Sequence, residues 1–367
     1  MRIAFVNPNL SHDYDADTPF EAPLPGSESA QVYLALALAA RGHHVALFTG
    51  TTRGDRRVRG LDQARWPGEL PGEWDAIFVT SAPELVPALR AAHPNPPIFA
   101  WAHNVFVPGT EEDAALKAIS GPRDRIICVS NWHKTNFTDY GVADARIVVL
   151  GNAIGPAFEN MFAPGDSIVA AKARPPRAAF TSVPYKGLKQ ALAFFKDLRA
   201  ARADMSLDVF SSFDFYPANN FFRHQPSWKF LAQEAKNTPG VVSHGNVPQA
   251  ELASALKASL LLFYPNVAAE TASIATMEAM AAGCVVITTA LGALPETTGE
   301  FGILAPVVDR NIDPQAYVNA AGMIIDAFAQ NNPALDARLR LQVDWVNRVY
   351  RWSARAEQAE ALIGGIA

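Results

Sequence analysis

The stretch ETASIATMEAMAAGCVVITT, residues 270–289, predicts a helix followed directly by a strand. The small and apolar residues 273–282 form the helix candidate, and CVVITT is rich in the β-branched residues that strands favour. After Glu270, the only charged side chain in this stretch is Glu278. A buried carboxylate becomes neutral or finds hydrogen-bond donors, so we expect either the local structure or a ligand to satisfy Glu278.

Strand and helix candidates alternate in the same way along both halves of the chain. This pattern predicts an α/β fold of two doubly wound, Rossmann-like parallel sheets. Prolines and glycines around residues 155–177 indicate a linker, so we expect domains at 1–165 and 176–345. The strand candidates are 3–6, 45–49, 76–80, 97–102, 125–129, 146–150, 177–183, 206–212, 240–247, 259–265 and 284–289.

Composition narrows the class of protein. The chain has 367 residues, enough for two cores, and a net charge of −5 gives no reason to expect nucleic acid as a partner. Cys128 and Cys284 lie in apolar stretches without metal-ligand spacing, which predicts core residues. Because no apolar window approaches the roughly 20 residues that cross a bilayer, the expected location is cytoplasmic.

Two loops are longer than the predicted architecture needs, residues 7–26 in the first half and residues 213–229 in the second. Either loop is a candidate substrate lid or an ordered surface insertion. A further loop of the first half is predicted at residues 51–72. The arginine-rich run at residues 51–60 predicts a solvated loop, with contact to anionic lipid or a phosphorylated acceptor as the alternative.

The helix after Glu270 predicts an anion site. Small residues at its start leave backbone N–H groups accessible, and these groups with the helix dipole favour phosphate. Over a helix, the eight positions from Glu270 to Glu278 span about 12 Å, which is close to the reach of a sugar attached to a nucleoside diphosphate. One carboxylate would bind sugar hydroxyls and the other a ribose. Capping by nearby backbone or hydroxyl groups is the alternative for either acid alone.

With seven residues between them, Glu270 and Glu278 resemble the Glu-x(7)-Glu signature of glycosyltransferase family 4, which comprises retaining enzymes of the GT-B fold. The resemblance implies a GT-B chain whose two Rossmann-like domains face a cleft, the first on the acceptor side and the second on the donor side. It also implies that residues 346–367 return to the first domain as a helix. Further segments that resemble the family are 23–50, 125–142, 146–154, 244–259 and 350–363.

The resemblance implies a role for individual residues. Glu270 would bind the donor sugar, Glu278 the ribose, and Lys186 the diphosphate leaving group. His103 would lie near the donor sugar and acceptor. A solvated lysine and a structural histidine are the alternatives for Lys186 and His103. The other donor-binding candidates are Ala272, Ser273, Ile274, Val247, Ser182, Gly26 and Ser27.

One position departs from the family pattern. Before the lysine, the family commonly has Gly-Arg, whereas this chain has Thr181 and Ser182. Two alternatives follow: Arg223 or Lys229 supplies the missing charge, or the leaving group depends more heavily on Lys186 and the helix terminus. The resemblance implies a metal-independent reaction with no cofactor, only a nucleoside diphosphate sugar, UDP or GDP above others, as co-substrate.

The sequence therefore predicts a retaining hexosyltransferase that acts on an acceptor hydroxyl of a glycan, glycolipid or small molecule. Loss of the phosphate-binding arginine motivates one alternative, an inactive GT-B protein that binds nucleotide or a partner. A nucleotide-sugar epimerase and a phosphorylase are two others on the same architecture. Peripheral membrane contact, the base and sugar of the donor, and the oligomeric state stay open.

Overall fold

A computed structural model of the chain describes residues 1–8, 13–214, 221–309 and 311–365. The chain forms two units. The first contains Met1–Ala153 together with Arg351–Ala367, and the second contains Ile154–Tyr350.

The first unit is built on an eight-stranded sheet. Its strands are β1 (Arg2–Asn7), β2 (His44–Thr49), β3 (Arg56–Val58), β4 (Leu61–Arg65), β5 (Ala76–Thr80), β6 (Ile98–Trp101), β7 (Arg125–Cys128) and β8 (Ile147–Val149). Their order is β3-β4-β2-β1-β5-β6-β7-β8, and every neighbouring pair is parallel except β3 and β4. Parallel strands joined by helices make a doubly wound sheet.

Helices connect the strands of the first unit. They are α1 (Thr18–Glu21), α2 (Gly26–Ala40), α3 (Val86–Ala92), α4 (Glu111–Lys117) and α5 (Asn131–Asp139), with 3₁₀ turns at Pro83–Leu85 and Asp144–Arg146. The C-terminal helix, Trp352–Gly364, packs on α2. Arg41 at the end of α2 donates hydrogen bonds to Glu360, and the rings of Tyr33 and Trp352 are 6.1 Å apart.

The second unit has a six-stranded sheet in which all neighbouring strands are parallel. Its strands are β9 (Arg177–Phe180), β10 (Ser206–Val209), β11 (Val241–Ser243), β12 (Leu261–Phe263), β13 (Val285–Thr289) and β14 (Ile303–Ala305). The order is β11-β10-β9-β12-β13-β14. A separate antiparallel ribbon pairs β15 (Val307–Val308) with β16 (Asn311–Ile312).

The helices of the second unit are α6 (Leu188–Ala201), α7 (Phe221–His224), α8 (Pro226–Asn237), α9 (Gln249–Ala258), α10 (Ile274–Ala281), α11 (Leu294–Thr298), α12 (Pro314–Ala329) and α13 (Pro333–Val349). Short 3₁₀ turns occur at Pro156–Phe158, Val169–Ala171 and Pro184–Lys186. In this sheet the switch in strand order lies between β9 and β12, where ligands of open α/β sheets usually bind.

The structure confirms the predicted fold class, because each predicted strand is present and both sheets are wound by helices. It also corrects two of the predicted loops. Residues 51–72 contain the hairpin of β3 and β4, and residues 213–229 contain α7 and the start of α8. Of the long segments, residues 9–12 and 215–220 lie outside the described residues.

The arginine-rich run is paired with the acidic segment that precedes α1. Arg53 and Arg56 both donate to Asp15, whose side chain is fully buried. Arg59 donates to Asp17 and lies over the ring of Phe20 at 3.8 Å. These arginines therefore belong to an ion-pair network of the first unit, and peripheral membrane contact stays a prediction.

The buried residues follow from the strand pattern. In the first unit, Phe5, Phe78 and Phe99 of three adjacent strands stack at 4.8 and 4.9 Å between ring centroids. Cys128 and Cys284 are buried free thiols, as predicted. Among the described residues, no helix is long and apolar enough to cross a membrane.

Candidate active site

Lys186 lies at the end of a 3₁₀ turn that follows β9. The next residue, Gly187, has φ +122° and precedes α6. A Cβ at this position would lie 2.3 Å from the carbonyl oxygen of Pro265, so only glycine allows the turn to approach the segment after β12 this closely. The close approach places the Lys186 side chain beside residues that follow β12.

Glu270 is held by its backbone in that segment. It forms an isolated parallel bridge with Gly292, and its carbonyl accepts a hydrogen bond of 2.7 Å from the N–H of Ala293. Gly292 has φ +65°, and a Cβ there would lie 2.4 Å from the Glu270 nitrogen and 2.3 Å from its oxygen. The position of Glu270 therefore depends on glycine at 292.

Lys186, Glu270 and Tyr264 form a buried charged cluster. Lys186 Nζ lies 3.1 and 3.0 Å from Oε1 and Oε2 of Glu270, which is 5% exposed. The Tyr264 hydroxyl donates to Oε1 of the same carboxylate. Ser182 Oγ lies 3.4 Å from that hydroxyl. The structure thus brings together Lys186 and Glu270, both predicted as catalytic residues, and adds Tyr264.

The cluster shifts the pKa of Lys186 and of Tyr264. Burial has the largest influence on Lys186 and acts to lower its pKa, but the charge of Glu270, the charge of Tyr185 and the hydrogen bond to Glu270 outweigh it and raise the pKa. Burial and the neighbouring Glu270 raise the pKa of Tyr264 well above its ordinary value. Lys186 is therefore charged and Tyr264 is a neutral donor at neutral pH.

Tyr264 was missed by the sequence analysis. It is the residue directly after β12 and it is 1% exposed. The available signal was its place at the carboxyl end of a parallel strand, where α/β sheets position ligand-binding groups. The apolar run of residues 259–265 masked that signal, because a tyrosine there also fits a core position.

The start of α10 lies close in sequence to Glu270. Ser273 is the N-cap residue, and its side chain makes no capping hydrogen bond to the first turn. Its carbonyl accepts the N–H groups of Thr276 and Met277, both at 3.1 Å. Ala272 and Ser273 are buried, whereas Ile274 is partly exposed. Helix N-termini of this kind attract anions.

Glu278 is 3% exposed within α10 and has a different environment. Its Oε1 accepts the backbone N–H of Gly155 at 3.3 Å, and the side chain of Gln249 is its second donor. Burial, the largest influence, raises the pKa of Glu278 to about 8 against the lowering effect of these two bonds. Local structure therefore provides two neutral donors for this carboxylate.

The remaining predicted site residues are divided between the units. Ser182 and Val247 are partly exposed residues of the second unit. In the first unit, Gly26 is the exposed first residue of α2, and Ser27 Oγ donates to Glu28 at 2.6 Å.

His103 follows β6 in the first unit and is partly exposed. Its ring lies 4.9 Å from that of Trp101, and it lines a small cavity with Ser81 and Glu112. Burial and the nearby His133 lower the pKa of His103 to about 3. The imidazole is therefore neutral at physiological pH and can accept a proton only weakly.

Comparison with known proteins adds a family and a fold. Residues 178–326 match the family model of group 1 glycosyl transferases. The chain is similar to a glycosyltransferase from Rickettsia africae, with 12% identity, coverage of 100% of this chain and 98% of the other, and a TM-score of 0.74. The family match thus covers part of the second unit, and the structural likeness shows a GT-B fold. Among curated proteins, none matches the sequence.

Two further solved structures share the GT-B fold of this chain. Sucrose-phosphate synthase from Thermosynechococcus elongatus is 19% identical, with coverage of 100% and 98% and a TM-score of 0.72. HepE from Anabaena in complex with UDP-glucose is 15% identical, with coverage of 99% and 100% and a TM-score of 0.70. At these identities the likeness shows the fold.

The group 1 match contains part of the predicted site. Lys186, Glu270 and Glu278 lie inside residues 178–326, as do Ser182 and Val247. By contrast, the candidates of the first unit lie outside it. Within the described part of the chain, no cluster of three or more His, Cys, Asp or Glu side chains is arranged to hold a metal ion.

Proposed function

We propose that the chain is a retaining glycosyltransferase of family 4, which transfers a hexose-type sugar from a nucleoside diphosphate sugar to an acceptor hydroxyl without a metal ion. The observation that carries this proposal is the Lys186–Glu270–Tyr264 cluster, which lies beside the start of α10 and inside the group 1 match. Of the donor classes, UDP- and GDP-sugars are proposed first, because HepE was solved with UDP-glucose.

The proposed roles follow from charge. Lys186 is the cation available to the leaving diphosphate, and Glu270 is the acceptor for hydroxyls of the donor sugar. The N-terminus of α10 at Ala272, Ser273 and Ile274 adds backbone donors for a phosphate. Glu278, four residues from the start of that helix, is assigned to the ribose hydroxyls. Ser182 and Val247 are assigned to the same donor.

In the transfer, the bond between the anomeric carbon and the diphosphate oxygen breaks, and the acceptor oxygen bonds to that carbon on the same face. The acceptor proton passes to the leaving phosphate oxygen. Negative charge grows on the diphosphate as its bond breaks, and preorganised positive groups that meet this charge usually make the largest contribution to catalysis. Lys186 is such a group, because its charge is maintained by Glu270 before substrate arrives.

The acceptor is assigned to the first domain, residues 1–165, and the donor to residues 176–345. His103, Gly26 and Ser27 are the first-domain candidates for contact with the donor phosphates or the acceptor. A glycan, a glycolipid and a small molecule are all compatible acceptor classes. The proposed location is cytoplasmic, with peripheral membrane contact if the acceptor is a lipid.

Calorimetric titration with UDP, GDP, ADP and TDP in the presence of EDTA tests the donor site. One nucleotide should bind the parent, and Glu278→Ala should weaken that binding because the ribose loses its acceptor. Exposed Glu251 on α9 provides the control, so Glu251→Ala should bind as the parent does. At one hundred times the dissociation constant, binding adds about 2.7 kcal/mol to the free energy of unfolding, which a melt can detect.

Sugar release from a donor panel then separates transfer from its rivals. Thr181 and Ser182, where the family has Gly-Arg, are the observation that favours an inactive nucleotide-binding protein. Nucleotide binding without release or transfer of sugar would support that alternative. Conversion of a donor without an acceptor would indicate an epimerase, and phosphate-dependent cleavage without a nucleotide product would indicate a phosphorylase.

A further inference from the structure

A cavity of about 160 Å³ lies in the second unit beside the turn that carries Lys186. One side is lined by Pro184 of that turn and by Ser211 and Ser243, which follow β10 and end β11. Arg223 of α7 and Lys229 of α8 line the same cavity. At ~30 Å³ for each water molecule, the space holds about five waters. It is therefore large enough for a phosphate group that keeps part of its hydration.

The charged groups of this cavity are mostly positive. Arg223 donates to the carbonyl of Asp214 at 3.3 Å, and its ion pair with the Asp214 carboxylate is long, at 3.7 Å. Because that carboxylate is 77% exposed, the pair is weak. Within the described residues, Lys229 has no ion-pair partner. The charged residues that line the cavity are therefore two cations and one exposed carboxylate.

Packing connects the cavity to the Lys186 turn. The ring of Tyr185, the residue before Lys186, stacks on Phe213 with 6.3 Å between centroids. Phe213 in turn contacts Trp228 at 5.6 Å. Trp228 and Lys229 are in the first turn of the 12-residue helix α8, whose positive end adds to the field. The two cations are thus attached by aromatic contacts to the element that positions Lys186.

The charge balance of the main cluster explains why such cations are needed. Lys186 and Glu270 are paired within 3.1 Å and neutralise each other. A diphosphate carries several negative charges, so a pair with no net charge attracts it poorly. The N-terminus of α10 supplies only about half of an elementary charge. Further positive charge has to come from elsewhere in the donor domain.

We propose that Arg223 and Lys229 bind a phosphate of the donor's diphosphate and supply the positive charge that the Lys186–Glu270 pair lacks. This inference rests on the proposed function, because it assigns two more residues to the same donor. Thr181 and Ser182 contribute no cation at the end of β9, and Arg223 of α7 and Lys229 of α8 supply that charge from the cavity beside the Lys186 turn. Arg223 and Lys229 act in binding and in stabilising the leaving group.

Calorimetry with three ligands tests the assignment. Lys229→Gln should weaken binding of the nucleoside diphosphate about tenfold, and Arg223→Gln combined with Lys229→Gln about 100-fold, since each removes a hydrogen bond to a charged group. Binding of the corresponding nucleoside should not change, because it has no phosphate. Lys236→Gln is the matched control, as it removes an exposed lysine from the last turn of the same helix.

The outcomes separate this inference from the proposed function. Unchanged diphosphate affinity in the double variant, with a parent that binds nucleotide, would overturn the inference and leave the function intact. Equal losses for the nucleoside and the diphosphate would overturn it as well, since they indicate general damage to the site. If the parent binds pyrophosphate but no nucleotide, and the double variant binds neither, the anion site is supported and the donor function is overturned.

Discussion

Glu270 and Glu278 are two buried carboxylates eight positions apart, and their surroundings differ in one respect. Glu270 is paired with the ammonium of Lys186 and accepts the hydroxyl of Tyr264. Glu278 has the N–H of Gly155 and the amide of Gln249, both of them neutral. A cation offsets the cost of burying a charge much better than neutral donors do. The pKa of Glu278 is accordingly raised to about 8.

The difference suggests a division of labour in the proposed donor site. Lys186 is held as a cation beside Glu270 before substrate arrives, so its contribution at the leaving group requires no rearrangement of charge during the reaction. Glu278 is mostly protonated at neutral pH. It accepts hydrogen bonds as a full carboxylate only when a bound ligand stabilises its ionised form. In the proposed function, Lys186 beside Glu270 serves the reacting bond, whereas Glu278 serves recognition of the nucleotide.

Removal of Lys186, the cation paired with Glu270, should have the largest effect on turnover. Lys186→Met should lower kcat about 100- to 1,000-fold, because the leaving diphosphate loses its preorganised positive partner. It should also lower the free energy of unfolding by about 3 kcal/mol, since Glu270 is left buried without a cation. Steady-state kinetics with the identified donor and urea denaturation measure the two effects.

Lys189→Met is the control for this substitution, because Lys189 is an exposed lysine on α6 that lies close in sequence. It should leave both quantities near those of the parent. If Lys186→Met retained parental kcat, the cluster would have a structural role only. Restoration of stability but not of turnover in Lys186→Met combined with Glu270→Gln would separate the two roles of the pair.

Glu278 should make the free energy of unfolding depend on pH. With a pKa of about 8 in the folded chain and an ordinary value of 4.5, the folded state holds more protons than the unfolded state between these values. Stability attributable to Glu278 therefore falls as pH rises from about 4.5 to about 8. Glu278→Gln removes this loss, so the variant should match the parent near pH 4 and exceed it by a few kcal/mol at pH 9.

Thermal melts of both proteins across this pH range measure the difference. A stability difference that does not depend on pH would show that Glu278 does not titrate in the predicted range. Donor binding sharpens the same comparison. If the ribose hydroxyls donate to an ionised Glu278, nucleotide binding at pH 7 should release protons, which calorimetry in buffers of different ionisation enthalpy detects.

The sequence could predict a feature of this site only where the residues that form it lie close together along the chain. The apolar runs predict eleven strands, since those patterns are local, but they did not predict β3, β4 or β14 of the two sheets. The helix 274–281 with Glu278, and Glu270 before it, were readable from local pattern as well. The partners of Glu278 were not, because Gly155 and Gln249 reach it only through the tertiary fold.

An exposed element was missed for a related reason. β3 has two exposed arginines, so its residues resemble a polar loop until they pair with β4. Helix α8 was readable, because Trp228, Leu231 and Ala235 recur at i, i+3 and i+7. For β3 the pairing partner, rather than the local pattern, decides the structure.

Tyr264 provides the smallest and most selective test of the comparison. Tyr264→Phe removes a hydrogen bond to the Glu270 carboxylate, which should lower kcat about tenfold and the free energy of unfolding by about 1.5–3 kcal/mol. Tyr317→Phe is the matched control, because the Tyr317 hydroxyl is equally buried and donates at 2.7 Å to the carbonyl of Ile287, outside the cluster. It should cost about 1 kcal/mol of stability and leave kcat unchanged. Equal effects of the two variants on kcat would mean that Tyr264 acts only through general packing. The distinction between a charged reaction centre at Glu270 and a neutral recognition site at Glu278 would then depend on Lys186 alone.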